Sequence, residues 1–179
     1  MQLALSHGEA IKAVIASYPM LDLRAAHYNV DYPKQMGAYP QFSHKVIDSH
    51  LATLPDGLSP SAGISSSRFE LMIAIPQRGR LLEFLGRQKD FVPIERFENN
   101  PDLALKVPRT WIYHGSDDTE VPVYGTRTFM GKLLELNPKA ELRYTEFQGA
   151  DHGLPCEIAL QTTGEHLKGI KYIDEALFT

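Results

Sequence analysis

Only one cysteine, Cys156, occurs among the 179 residues. A lone thiol excludes an intrachain disulfide framework and, by itself, a thiolate metal site; Cys156 reads as a small side chain in a helix. Basic blocks are also missing. Eighteen Lys and Arg against 22 Asp and Glu leave a formal charge of −4, with no basic stripe to follow a phosphate backbone, so nucleic acid is not an expected partner. No apolar run approaches the roughly 20 residues that cross a bilayer. The opening MQLALSHGEAIK has neither a basic n-region nor a small-residue cleavage site. The expectation is a soluble, cytoplasmic chain with no membrane partner. No phosphate-cradling glycine loop, dinucleotide fingerprint or dense His/Cys/carboxylate cluster is found, and His27, His44, His50 and His166 are scattered without ligand spacing. No cofactor and no metal are therefore expected.

What is present is core-forming material. Hydrophobic residue types make up 43% of the chain, enough for one compact domain. Residues 11–18, IKAVIASY, form an apolar run ended by Pro19 and suit a parallel strand covered on both faces. Ahead of it, Leu3 and Leu5 with Gly8 placed as a helix stop indicate that the sequence opens inside a helix. A second strand is expected at Thr110–His114, followed by a helix from about Pro122 to Leu136 with Phe129, Leu133 and Leu136 on one face. A third, half-exposed strand is expected at Glu141–Phe147. The last helix runs from about Gly164 to Phe178, where Leu167, Ile170, Ile173 and Leu177 keep a three-to-four residue period. This order gives βα units of a parallel sheet.

Residues 24–108 have another texture. Eight prolines, from Pro33 to Pro108, punctuate short amphipathic pieces such as HKVIDSHLATL and ELMIAIPQRGRLLEFLG. Connections this long inside a compact domain usually carry a function, often as a cover over a binding site. Residues 24–108 are accordingly expected to form a helical lid or cap, inserted into a core made of residues 1–23 and 109–179. Tyr28, Tyr32, Tyr39, Phe42 and Phe69 read as lid packing, and Trp111 and Tyr113 as core.

Two loops carry candidate chemistry. His114-Gly-Ser-Asp-Asp118-Thr-Glu-Val-Pro122 follows the second strand, and Gly149-Ala-Asp-His152-Gly153 follows the third. Ligands of open parallel sheets bind at the C-terminal ends of strands, where helix N-termini converge. A carboxylate on one such loop can fix the tautomer of an imidazole on the next and stabilise its cation, leaving the other ring nitrogen to face a substrate. Asp118 and His152 are the candidate pair, 34 residues apart. Asp117 competes for the acid's role, but spacing to Val121-Pro122 favours Asp118. A plain alternative exists for each: a first-turn helix acid for Asp118, and an idle loop histidine for His152. His114 is expected to be structural.

The pattern HGxxDxxVP at 114–122 followed by GxDHG at 149–153 resembles the acid and histidine loops of α/β-hydrolases, in their lipase/esterase-like branch. YPMLDL at 18–23 and HLKGIKYIDEAL at 166–177 also resemble that branch as seen in fungal members. The resemblance implies a truncated α/β-hydrolase fold: about three parallel strands, flanking helices and a lid insertion, with Asp118 and His152 as acid and histidine. It also implies what is missing. Members of the family supply a serine from GxSxG on a strand-to-helix elbow, and oxyanion donors from a loop further upstream; neither pattern occurs in these residues. On this resemblance the sequence begins just past the nucleophile. Gly63-Ile64-Ser65-Ser66-Ser67 comes near GxSxG, but no apolar strand precedes it and its last position is serine, so Ser65 reads as part of a lid loop.

Three functions follow as expectations. A His152–Asp118 dyad acts as general acid or base on a small molecule held under the lid. Alternatively, the sequence is one piece of a carboxylesterase-like serine hydrolase. In the third, the chain is a binding or scaffolding protein. Because an open apolar edge invites aggregation, the strand edge at 11–18 is expected to be covered by a second copy in a homodimer, or by a partner chain.

Overall fold

The computed structural model describes residues 1–53, 66–153 and 164–177. Ser65 and Cys156 lie outside these residues. Three strands form a parallel sheet in the order β1-β2-β3: β1 is Ala13–Ser17, β2 Arg109–Gly115 and β3 Leu142–Phe147. Ile15 pairs with Trp111, and Ile112 with Tyr144. Helices flank the sheet, as expected for α/β layering. They are α1 (Gln2–His7), α6 (Pro93–Asn99), α7 (Val123–Leu136) and α8 (Gly164–Leu177). No described helix is long and apolar enough to cross a membrane.

Side-chain alternation along β2 explains why helices cover both of its faces. Ile112 joins Leu5, Ala16, Phe97, Phe129 and Leu133 in one cluster, supplied by α1, α6 and α7. Trp111 and Tyr113 point the other way and pack against Ile173 of α8. Period-two alternation requires this division, and β2 is buried from Thr110 onward. The Trp111 indole would lose a water partner in this setting; its Nε1–H donates to Thr145 Oγ1 at 3.1 Å.

One local expectation is corrected. β1 is not covered on both faces, since Ile15 is 53% exposed while Ala16 is buried. Among the described residues β1 is an edge strand, so its outer rim has no strand beside it. α1 ends where expected, with Gly8 as its C-cap, but Gly8 is not in a left-handed conformation. Its φ is −52°, and the chain runs on through a 3-10 turn, Gly8–Ala10. A Cβ there would meet the Lys106 carbonyl oxygen at 1.9 Å, so the glycine serves close backbone approach.

Two compact units are formed, residues 1–22 with 88–179, and residues 23–87. The dividing lines differ from the expected boundary at 108. Residues 88–108 share the proline-rich texture of the preceding segment, yet Phe97 stacks on Phe129 at 5.2 Å and is fully buried in the sheet unit's core. Asn137 also donates to the Ala104 carbonyl at 3.1 Å. Within the second unit the described elements are helical: α2 (Ala26–Asn29), α3 (His44–Thr53), α4 (Ser66–Gln77) and α5 (Leu81–Leu85). Ile47, Leu71 and Ala74 make its core. Its irregular backbone is tied down by polar side chains: Lys34 Nζ donates to the carbonyls of Val30 and Pro76 at 2.8 and 2.9 Å, and Gln77 bridges Phe42 N–H and the Pro40 carbonyl.

Candidate active site

Adjacent parallel strands end side by side, so the loops after β2 and β3 are neighbours from their first residue. Ser116 N–H donates to the Phe147 carbonyl at 3.0 Å and Asp117 N–H to the Ala150 carbonyl at 3.1 Å. Gly149 N–H donates to Ser116 Oγ at 2.8 Å. Gly115 makes this approach possible, because a Cβ there would sit 2.2 Å from the Ala150 oxygen.

The Asp118 carboxylate is buried and saturated. Oδ1 accepts the main-chain N–H groups of Glu120 and Val121 at 3.0 and 2.7 Å. Oδ2 accepts from His152 Nδ1 at 2.9 Å and lies 3.2 Å from His114 Nε2. An ionised carboxylate offers about four acceptor positions, and all are used. Burial works against the charge on Asp118, but the donors His114, His152 and Val121 N–H outweigh it and hold the carboxyl well below its usual range. The first-turn capping alternative is not what Asp118 does: its bonds close the loop ahead of α7, and α7 itself begins at Val123, after Pro122, without a side-chain cap. Asp117, the competing acid, is exposed and accepts from Ser116 Oγ.

His152 receives its orientation from that bond. A carboxylate only accepts, so Nδ1 carries the proton and Nε2 is directed away from Asp118. Burial disfavours the cation, yet Asp118, with help from Glu120 and Asp151, raises the imidazole's proton affinity above the ordinary value. Tyr18 lies against the ring, centroid to centroid 4.2 Å at 59°. Tyr18 is also the described non-glycine residue with positive φ, +36°. Such a backbone costs on the order of 1–3 kcal/mol and persists only where the surroundings hold it; here Tyr18 N–H donates to the Tyr113 carbonyl at 2.8 Å.

Asp151 ties the two loops together. Its Oδ1 accepts from Thr119 N–H at 2.9 Å, from the Thr119 hydroxyl at 3.0 Å and from His152 N–H at 2.8 Å. On the open side of the imidazole, Glu120 Oε2 stands 3.9 Å from Nε2. Burial leads the influences that raise the Glu120 carboxyl's pKa.

The structure thus brings together the two residues singled out from the sequence and adds Tyr18, His114, Thr119, Glu120 and Asp151 around them. Position was the available signal for these additions: Tyr18 directly follows β1, Glu120 is two residues past Asp118, and Asp151 precedes His152. Residue type alone did not distinguish them from surface groups. Among the described residues no group of three or more His, Cys, Asp or Glu side chains is arranged to hold a metal ion.

No protein-family model matches the sequence. Over 166 residues the chain is 26% identical to probable carboxylesterase M8 of Phoma sp. (strain ATCC 20986 / MF5453), covering 88% of this chain and 50% of that protein. This similarity supports an α/β-hydrolase relationship. The chain spans about half the length of this curated relative. Two solved structures are also similar. One is Thermogutta terrifontis esterase 2 phosphonylated by sarin, at 20% identity and a TM-score of 0.42, over 92% of this chain and 41% of that one. The other is a Paleococcus ferrophilus monoacylglycerol lipase, at 17% identity and a TM-score of 0.36, over 98% and 63% of the respective chains.

Proposed function

We propose that His152, oriented by Asp118, acts as a general acid or base on a small organic molecule, without a serine nucleophile from these 179 residues. The observation that carries this reading is the 2.9 Å bond from Nδ1 to Oδ2, which commits one ring nitrogen to the acid and leaves the other for chemistry. Proton transfer by a positioned side chain contributes about 10²- to 10⁴-fold. That range serves an isomerisation, an elimination, a cyclisation or the opening and closing of a lactone. Purified protein incubated with a panel of lactones, enones and hydroxy-carbonyl compounds tests it. His152→Ala should abolish any turnover found, and unchanged turnover would refute the proposal.

A second reading is favoured by the carboxylesterase relative, half of whose length the chain spans. In it, Asp118 and His152 are the acid and histidine of a carboxylic ester hydrolase, and the serine comes from residues outside this sequence. Reading the coding sequence ahead of Met1 separates the two: an in-frame GxSxG supports the hydrolase, and its absence removes it. Exposed Ile15 on the edge strand β1 supports a further element of the proposal, that a second copy of the chain or another partner covers this edge.

A further inference from the structure

Asp118 is one of two carboxylates flanking the His152 ring. Oδ2 of Asp118 meets Nδ1 at 2.9 Å, and Oε2 of Glu120 lies 3.9 Å from Nε2. The second distance is too long for a direct hydrogen bond and short enough for an ion pair. Glu120 is not placed there by chance of a mobile side chain alone, because its own N–H donates to Asp118 Oδ1. The loop that presents the acid therefore fixes the backbone of the second carboxylate.

We propose that Glu120 is a positioning residue of this site: facing Nε2 while Asp118 holds Nδ1, it keeps His152 as an imidazolium, so that the resting group offered to a substrate is a proton donor. This inference rests on the general acid or base reading and decides between its two directions. Among the described residues, the groups facing the ring favour the cation or are uncharged: Asp118, Glu120, Asp151 through its bond to His152 N–H, and the Tyr18 ring. His114 stands behind Asp118. Residues 115–122 and 148–153 contain no Lys or Arg to offset them. The raised proton affinity of His152, in which Asp118 precedes Glu120 as a cause once burial is overcome, agrees with this geometry.

A chemical class of substrate follows. An imidazolium donor suits a neutral molecule that presents a basic oxygen, such as a carbonyl, lactone or epoxide oxygen. The Nε2 proton passes to that oxygen, the ring becomes neutral with the Nδ1 proton still on the nitrogen and hydrogen-bonded to Asp118, and the proton that the activated substrate releases as it reacts returns to Nε2 through solvent. A carboxylate at the same place would be repelled by Glu120.

The test is an NMR titration of the His152 ring in the full chain, comparing wild type, Glu120→Gln and Asp118→Asn, with circular dichroism to confirm folding. E120Q is expected to lower the titration midpoint and cut the imidazolium fraction at neutral pH severalfold. An E120Q midpoint equal to that of wild type overturns the inference. If D118N lowers the midpoint while E120Q leaves it unchanged, the His152–Asp118 pair stands and the role of Glu120 falls; if neither moves it, both fall. Should E120Q not fold, Glu120→Asp withdraws the carboxylate from Nε2 and must lower the midpoint by a smaller amount.

Discussion

His114 and Asp118 meet inside the protein, Nε2 to Oδ2 at 3.2 Å, with no exposed surface on either side chain. His114 Nε2 also lies 2.7 Å from the Val121 carbonyl. A carbonyl only accepts, so Nε2 carries a proton and Asp118 receives a second donor beside His152. Nδ1 is engaged with Thr126 Oγ1 at 2.9 Å, which links the end of β2 to α7. The histidine that opens the acid loop thus shapes that loop around the acid.

His114→Ala should be strongly destabilising. It strands the Val121 carbonyl, the Thr126 hydroxyl and part of the Asp118 charge in a buried place, at about 1–3 kcal/mol for each unsatisfied group. Urea denaturation should show a loss of about 3 kcal/mol or more; a loss within about 0.5 kcal/mol, the range of ordinary surface substitutions, would contradict the buried network.

Stability should depend on pH from both sides. The Asp118 carboxyl titrates below the ordinary 3.8 in the folded protein, so its contribution is present above that pH and is lost as pH falls through the folded value. The His152 imidazole titrates above the ordinary 6.5, so its contribution is complete below 6.5 and is lost as pH rises through the folded value. Thermal melts should therefore show Tm highest in mildly acid buffer, declining toward alkaline pH. His152→Ala should flatten the alkaline decline and leave most of the acid one.

Asp118→Asn keeps the volume and replaces Oδ2 with either an NH₂ donor or a neutral oxygen. A donor there faces the His114 and His152 N–H groups and drives His152 to the wrong tautomer. Whatever turnover the protein shows should fall by roughly 10²- to 10⁴-fold, with substrate affinity less affected. Steady-state kinetics would read this; a fall in affinity alone would argue that the pair serves binding.

Gly115→Ala probes the contact between the two loops. The added methyl group meets the Ala150 oxygen at 2.2 Å, so the His152 loop must shift. A destabilisation of about 1–3 kcal/mol is expected, together with displaced NMR chemical shifts for His152 and the acid loop, in place of wild-type stability and wild-type shifts. Retention of both would mean that the loops separate without consequence.

Oligomeric state reports on β1. If a second copy covers the edge, light scattering should give a dimer, and Ile15→Lys, which places a charge on the exposed face of that strand, should yield monomer. A wild-type monomer at high concentration would count against a covered edge.

Much of the sheet unit was legible because its signals are local. The strand expected at Thr110–His114 is β2, Arg109–Gly115, and the helix expected from Pro122 is α7, Val123–Leu136. A buried parallel strand is a short apolar run, and a flanking helix carries a three-to-four residue stripe; both patterns need only a few neighbouring residues. The allegiance of residues 88–108 was not legible. Phe97 looks like any other apolar residue between prolines, and only its contact with Phe129, 32 positions away, assigns it to the sheet.

By itself the sequence determined the α/β layering, the strand-end placement of two polar loops, and Asp118 and His152 as the residues most worth watching. These are matters of periodicity and of motif spacing along the chain. The tertiary structure decided what faces each atom: which oxygen of Asp118 takes the main-chain donors, that His114 is its second imidazole partner, that Tyr18 bears a left-handed backbone against the His152 ring, and that Glu120 stands on the side of Nε2. Hydrogen-bond partners and ion-pair distances depend on packing across segments distant in sequence, and periodicity along one segment carries no information about them.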